Sequence, residues 1–407
     1  MTFITDLSSK ELLTRSWKSV YSGKTKSQRK NSKGVDNISL YDFKEKESEK
    51  INNLFLDIKK GKYEISPLHG FIEPKPGKQF DRLICVPTTR DRIIHKSILG
   101  LINRIVFPHI NTGVSYCGIN ENLWGKNKNP DSLNTKKAVK VLIKEVEKGN
   151  FWVFKADIEG FYDNISRLRL LNKIRKILDN DSSLNALIKK IIYFKLGNKK
   201  EFQSNKRIKK QNRKIGIAQG SALSPLFSNI SLKEFDNKMN KKCGKSFIRY
   251  VDDFLIISRK EQDVKKLGKY AEKLLEKEGL KLSPSKTEVV NIRDGLVFLG
   301  IKFTRTRITT KLNRAQIIQN TQKVLSLKNQ DYLKCKNDKE RVKDMNFRIQ
   351  GQVEYYKYYH IGEMIKLMNF VIKSRKNLLP LGLKTINLPK IAPLVEEKNW
   401  QALFKLP

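Results

Sequence analysis

Two acidic sites, each set against a short apolar run, constrain this chain more than anything else in it. The first is Phe151-Trp152-Val153-Phe154-Lys155-Ala156-Asp157, and the second is Arg249-Tyr250-Val251-Asp252-Asp253-Phe254-Leu255-Ile256. Short apolar runs of this kind read as buried strands. Carboxylates beside them lie close to a core, where they repel one another and lose hydration. A turn at the strand end relieves that cost, and so does a cation held by both acids. Asp-Asp at a hairpin tip is commonly no more than a turn. Two such sites in one strongly basic chain point instead to carboxylates from separate strands converging on divalent ions.

The basic balance narrows the partner. Lys and Arg number 83 against 41 Asp and Glu, for a net charge of +42 over 407 residues. Self-repulsion on that scale opposes compaction unless a polyanion neutralises it. No run of 18 apolar residues and no lipidation signal points to a membrane, which leaves nucleic acid as the expected partner. The start lacks a basic segment followed by an apolar one, so secretion is not expected. Cys85, Cys117, Cys243 and Cys335 form no Cys-x-x-Cys pair, which excludes a zinc ribbon or zinc-bearing nuclease module. Scattered cysteines fit a reducing cytoplasm.

Periodicity predicts helices near 51–58, 91–105, 139–146 and 168–196, the last interrupted near 179–183, and again over 223–239 and 264–279. Residues 63–87 read as extended and turn-rich, and 111–135 as a loop. Strands are expected at 151–156, on either side of Val251-Asp252-Asp253 within 247–257, and over 288–303, with helices and loops after about 310. The fold class is therefore α+β (mixed α/β). Two segments are dense in positive charge: 24–33 carries five basic side chains, and 195–214 carries nine, with Glu201 its one acid. The second reads as a nucleic-acid-facing hairpin. The first is either a solvated loop or a phosphate contact.

In order, Asp157 with Phe161-Tyr162, Ala218-Gln219-Gly220-Ser221-Ala222-Leu223-Ser224-Pro225, Tyr250-Val251-Asp252-Asp253, Gly279 to Thr287 and Phe298-Leu299-Gly300 resemble the motif series of reverse transcriptases. Upstream, Lys33-Gly34-Val35-Asp36 and Arg82-Leu83-Ile84-Cys85-Val86-Pro87 through Asp91-Arg92 are similar to the fingers blocks of group II-intron-like bacterial enzymes. The segment Arg348 to Tyr359 resembles their thumb. The likeness spans about residues 15–375.

The resemblance implies a right-hand polymerase: N-terminal extension and fingers over 1–110, palm over 111–304 with the basic insertion 195–214, and an all-helical thumb over 305–407. It implies RNA-directed DNA synthesis from deoxynucleoside triphosphates with two Mg²⁺ ions, or Mn²⁺ in their place. Asp157 and Asp252 would be the principal metal ligands, assisted by the Ile158 carbonyl and Asp253. Tyr162 would exclude a 2′-hydroxyl, with a core aromatic as the plain alternative. Gln219 would pack beside the incoming nucleotide, Arg82 and Lys75 would clamp its triphosphate, and Lys286 would steady the site or protonate pyrophosphate. Leu299 and Gly300 would approach the primer. Lys206, Arg207, Lys209 and Lys210 of the basic insertion would meet nucleic acid.

Intron enzymes usually carry Tyr-Gly-Phe-Arg-Pro before the first aspartate, whereas Tyr116-Cys117-Gly118-Ile119-Asn120 stands here. The chain also ends soon after the thumb-like segment. Both features resemble the stand-alone reverse transcriptases of antiphage defence, which copy a dedicated non-coding RNA into cDNA. The alternative is a group II intron maturase that assists splicing and mobility. An RNA-dependent RNA polymerase is disfavoured by Tyr162.

Overall fold

The computed structural model describes residues 6–24, 26–74, 81–117, 134–178, 182–202, 214–326, 335, 337–387, 393–394 and 396–404. Helix α1 (Lys10–Ser22) buries Leu13 and Trp17, and packs on α2 (Glu47–Lys59) through the predicted face of Ile51, Leu54 and Ile58. The turn-rich stretch that follows becomes an antiparallel hairpin, β1 (His69–Glu73) with β2 (Arg82–Val86). Thr88 then caps helix α3 (Thr89–Ile110), its side chain accepting from the Asp91 amide.

Helix α4 (Thr135–Glu147) leads into strand β3 (Trp152–Asp157). The helical stretch after it is broken, as expected, into α5 (Arg167–Ile177) and α6 (Ser182–Ile192). Helix α7 (Ser224–Cys243) precedes β4 (Phe247–Tyr250) and β5 (Asp253–Ser258), and α8 (Glu261–Lys277) precedes β6 (Glu288–Asn291). These four strands form one antiparallel sheet in the order β4-β5-β3-β6.

Both faces of that sheet are covered. Phe154, Ala156, Phe247, Phe254 and Ile256 join the core built with the N-terminal helices. Their strand neighbours Val153, Ile248, Leu255 and Ile257 join a second core with α4 and the C-terminal helices. Alternate residues point to opposite faces, so a strand buried on both sides reads as a continuous apolar run. Each fully buried phenylalanine contributes about 1.5–3 kcal/mol. Lys155 and Arg249 interrupt the apolar runs, and the acids Asp157 and Asp253 fall at strand ends.

A second sheet, β7 (Leu296–Phe298), β8 (Ile301–Phe303) and β9 (Ile308–Thr310), leads into helices α9 (Arg314–Val324), α10 (Asp338–Tyr356) and α11 (Gly362–Ser374). Strand β9 corrects the purely helical reading past 305. Ile308 and Thr310 are buried on one face and pair with Phe303 and Ile301, a three-residue alternation too short to stand out in sequence. The architecture is mixed α+β. Among the described residues no helix is long and apolar enough to cross a membrane.

Candidate active site

Strand pairing brings the two acidic sites together. Asp157 ends β3 directly opposite Asp253, the first residue of β5. Asp253 is thus a strand residue, and the turn between β4 and β5 is Val251-Asp252 alone. The amide of Ile158 donates to the Asp252 carbonyl at 3.0 Å, and Ser283 N–H donates to the Asp157 carbonyl at 2.8 Å. Ile158 also bridges to Leu282, its side chain fully buried. Three strand ends and the 281–283 segment therefore fix the backbone that carries Asp157, Ile158, Asp252 and Asp253.

The charges there are unbalanced. Burial pushes the Asp253 carboxyl up to about 7; Lys155 and Lys286 oppose the rise, and Asp157 and Asp252 add to it. Asp253 Oδ1 is buried with no hydrogen-bond partner among the described residues. Lys286 Nζ donates to Asp157 Oδ1 at 2.5 Å and supplies positive charge at the site. Among the described residues no three His, Cys, Asp or Glu side chains converge as a finished metal cage. The donor chemistry nevertheless fits a hard divalent cation: carboxylate oxygens on adjacent strand ends, one of them orphaned.

Tyr162 lies in the one-turn helix Phe161–Asn164 that follows β3, half-buried against the core. Burial raises its hydroxyl to about 12; a hydrogen bond with Ser228 lowers it, Cys117 and Asp252 raise it, and Arg249 lowers it. Gln219 is tied on two sides. Its side-chain nitrogen donates to Asp163 Oδ1 at 3.2 Å, and its carbonyl accepts from the Cys85 amide of β2 at 2.7 Å. Gly220 has φ +127°, and a Cβ there would lie 2.4 Å from the Cys85 carbonyl oxygen, so only glycine fits.

The next residue is held from beneath. Ser221 Oγ accepts from the Leu223 amide and lies 3.0 Å from His95 Nδ1. The imidazole tautomer sets which of the two donates, and the other ring nitrogen, Nε2, is buried without a partner among the described residues. Burial pushes His95 down to about 4. The unfolded histidine takes up its proton near 6.5, so the stability conferred by neutral His95 is complete above pH 6.5. It is lost as pH falls from 6.5 through 4, up to about 3 kcal/mol. Urea unfolding of His95→Gln should show a smaller loss over that window than the parent protein; equal losses would refute the assignment.

Arg82 pairs across the β1–β2 hairpin with Glu73 at 2.8 Å and is partly exposed. A cavity of about 700 Å³ is lined by Lys24, Lys33, Phe71, Ile84, Arg92 and Gly220. The first basic segment thus sends two lysines to a cavity that the Gln219-Gly220 turn also reaches. Burial and the nearby Arg92 hold the Lys24 ammonium below its usual range. Leu299 and Gly300 form the two-residue turn between β7 and β8, with φ +50° and +75°. Tyr355 Oη donates to the Leu299 carbonyl at 2.6 Å and Tyr356 Oη to that of Gly300 at 3.3 Å, so helix α10 holds this turn. Lys75, Lys206, Arg207, Lys209 and Lys210 lie outside the described residues.

Sequence reasoning missed the groups beneath the aspartates. Arg249, Asp236, Asn229 and Ser115 form one buried polar network under the β4–β5 turn, and Asp163 orients Gln219. The available signal was a charge inside an apolar run: Arg249 lies between Ile248 and Tyr250.

The family model for reverse transcriptase (RNA-dependent DNA polymerase) matches residues 73–303, more than half of the chain. Protein YkfC of Escherichia coli (strain K12) is 23% identical over 309 residues, covering 67% of this chain and 76% of that protein. Group II intron-encoded protein LtrA of Lactococcus lactis subsp. cremoris is 27% identical over 188 residues, covering 46% of this chain and 28% of its own length. The Retron Ec83 reverse transcriptase of Escherichia coli is 25% identical over 188 residues, covering 45% and 50%. Among solved structures, apo telomerase from Candida tropicalis truncated from its C-terminal domain aligns with a TM-score of 0.41 at 18% identity, covering 59% of this chain and 54% of that one. The chain therefore spans half or less of the retron and intron relatives, and about three quarters of YkfC. With a matched region that contains both acidic strand ends, the Gln219-Gly220 turn and the Leu299-Gly300 turn, this chain belongs to the reverse transcriptase family of RNA-dependent DNA polymerases.

Proposed function

We propose that this chain copies a structured RNA into cDNA from deoxynucleoside triphosphates, at a site built on Asp157, Asp252 and Asp253. The observation that carries the reading is the register of β3 and β5, which sets Asp157 opposite Asp253 with the Asp252 turn pinned to the Ile158 amide. Asp157, Asp252, Asp253 and the Ile158 carbonyl would hold two Mg²⁺ ions, or Mn²⁺. When bound, such ions stabilise the charge that develops on the attacking 3′-hydroxyl and the departing pyrophosphate.

The chain's own residues do the rest. Arg82 exchanges Glu73 for the triphosphate, where its planar fork suits phosphate oxygens. Lys286, already beside Asp157, is placed to neutralise or protonate the leaving group. Tyr162 excludes the 2′-hydroxyl, and Gln219, oriented by Asp163, packs against the base pair being formed. The cavity beside Gly220 admits the template, with Lys24, Lys33 and Arg92 toward its phosphates and Phe71 and Ile84 toward its bases. Leu299-Gly300 supports the primer end, and Lys75, Lys206, Arg207, Lys209 and Lys210 add phosphate contacts.

In this reading the fingers run over 1–110, the palm over 111–304 and the thumb over 305–407. The template is a dedicated non-coding RNA and the setting is bacterial antiphage defence in the cytoplasm, a reading that rests on the absence of Arg-Pro after Tyr116. The likeness to LtrA favours the second reading, an intron maturase. Sequencing the RNA that co-purifies with the protein separates them. The first predicts one short, discrete RNA encoded beside the gene and a biological effect that requires Asp252. Recovery of an intron, with splicing that survives Asp252→Ala, would establish the second instead.

A further inference from the structure

Arg249 is fully buried, and so is its partner Asp236 on α7. Its Nε and Nη2 donate to the two oxygens of Asp236 at 2.6 and 2.5 Å. Nη2 also lies 2.9 Å from Ser115 Oγ and from Asn229 Oδ1, and Asn229 in turn donates to the Cys117 carbonyl at 3.0 Å. Burying such a pair is costly, and an apolar pair of similar volume commonly serves stability as well or better. Stability alone therefore gives no reason for a guanidinium here.

The remaining donor supplies one. Arg249 Nη1 donates to the carbonyl of Val251 at 2.8 Å. Val251 has φ +61°, a left-handed conformation that a β-branched residue adopts only when its surroundings impose it. It holds the position in a two-residue hairpin turn that normally calls for glycine. The next residue is Asp252, whose carbonyl is fixed from the other side by the Ile158 amide. The turn is thus gripped at both of its carbonyls, one by a backbone amide and one by a buried arginine.

The geometry points to Arg249, braced by Asp236, as a positioning residue that holds Val251 in its strained conformation and so aims the Asp252 carboxylate at the metal-binding site. This rests on the active-site reading given under Proposed function. Lysine cannot replace the fork, because one ammonium cannot grip both Asp236 oxygens and the Val251 carbonyl in a fixed plane.

Mn²⁺ binding to the purified chain, followed by the electron paramagnetic resonance of the free ion, tests this without turnover. Arg249→Lys should weaken binding by about tenfold, the scale on which groups supporting metal ligands act. Adding Val251→Gly should restore binding, since glycine adopts the turn unaided, without restoring the thermal midpoint that the lost hydrogen bonds lower. If Arg249→Lys does not fold, Arg249→Met with Asp236→Leu removes both charges together and should show the same weakening and the same rescue. Parental Mn²⁺ binding in a folded Arg249 variant would overturn the proposal, and so would failure of Val251→Gly to rescue. Asp252→Ala is the control for the underlying reading. If it too binds Mn²⁺ like the parent, the metal site is misassigned; if it alone loses binding, only the positioning role fails.

Discussion

Asp157→Ala and Asp252→Ala should each lower DNA synthesis on a primed RNA template by roughly 10³-fold or more. Metal ions supply several kcal/mol of charge stabilisation in phosphoryl transfer, and each 1.4 kcal/mol lost is about tenfold in rate. The fold should survive both changes. Asp157 is at a strand end, and its backbone contacts to Ser283 and to the β5 register do not use its side chain. Asp253→Asn should separate function from stability in the opposite sense. It removes a buried carboxyl whose Oδ1 has no partner among the described residues, so the thermal midpoint should rise while synthesis falls. Full synthesis in either alanine variant, or a lower midpoint in Asp253→Asn, would contradict the account of the site.

Tyr162→Val should shift sugar selection. The ring is half-buried against the core and its hydroxyl lies near Asp252 and Ser228, so it is held in place and cannot swing aside for an extra oxygen. Forcing extra atoms into a filled space costs roughly 1–3 kcal/mol, so the ratio of ribonucleotide to deoxyribonucleotide incorporation should rise about 10–100-fold. Competitive single-nucleotide incorporation with matched ribo- and deoxyribonucleotides measures the ratio directly. An unchanged ratio would transfer the gate to Phe161 or to another residue.

The sheet that carries the acids was legible because both of its faces are buried, which makes β5 an apolar run after Asp253 and leaves Lys155 the one charge within β3 before Asp157. A carboxylate at the end of one such run is commonly just a turn residue, but two such sites in one basic chain marked Asp157 and the Asp252-Asp253 pair. What supports them was much harder to read. Arg249 is one charge in a four-residue strand, and its partners Ser115, Asn229 and Asp236 lie 13 to 134 residues away, brought together only by packing. The left-handed turn at Val251 runs against the residue's own preference and follows from that packing alone. Strand β9 was hidden for a different reason: three residues after a Thr-Arg repeat offer too few alternations to distinguish a strand from a helix start. The basic segment 24–33, read from sequence as a loop, is helical over Lys26–Asn31, and Lys24 and Lys33 on either side of that helix line the cavity beside Gly220.

The most direct measurement is extension of a 5′-labelled DNA primer on an RNA template by the purified chain, with deoxynucleoside triphosphates and Mg²⁺. The account predicts template-specified extension that stops on chelation and is absent in Asp157→Ala and Asp252→Ala, both folded by circular dichroism. A folded parent chain that extends no primed RNA template, or extension that survives the loss of Asp252, would contradict it.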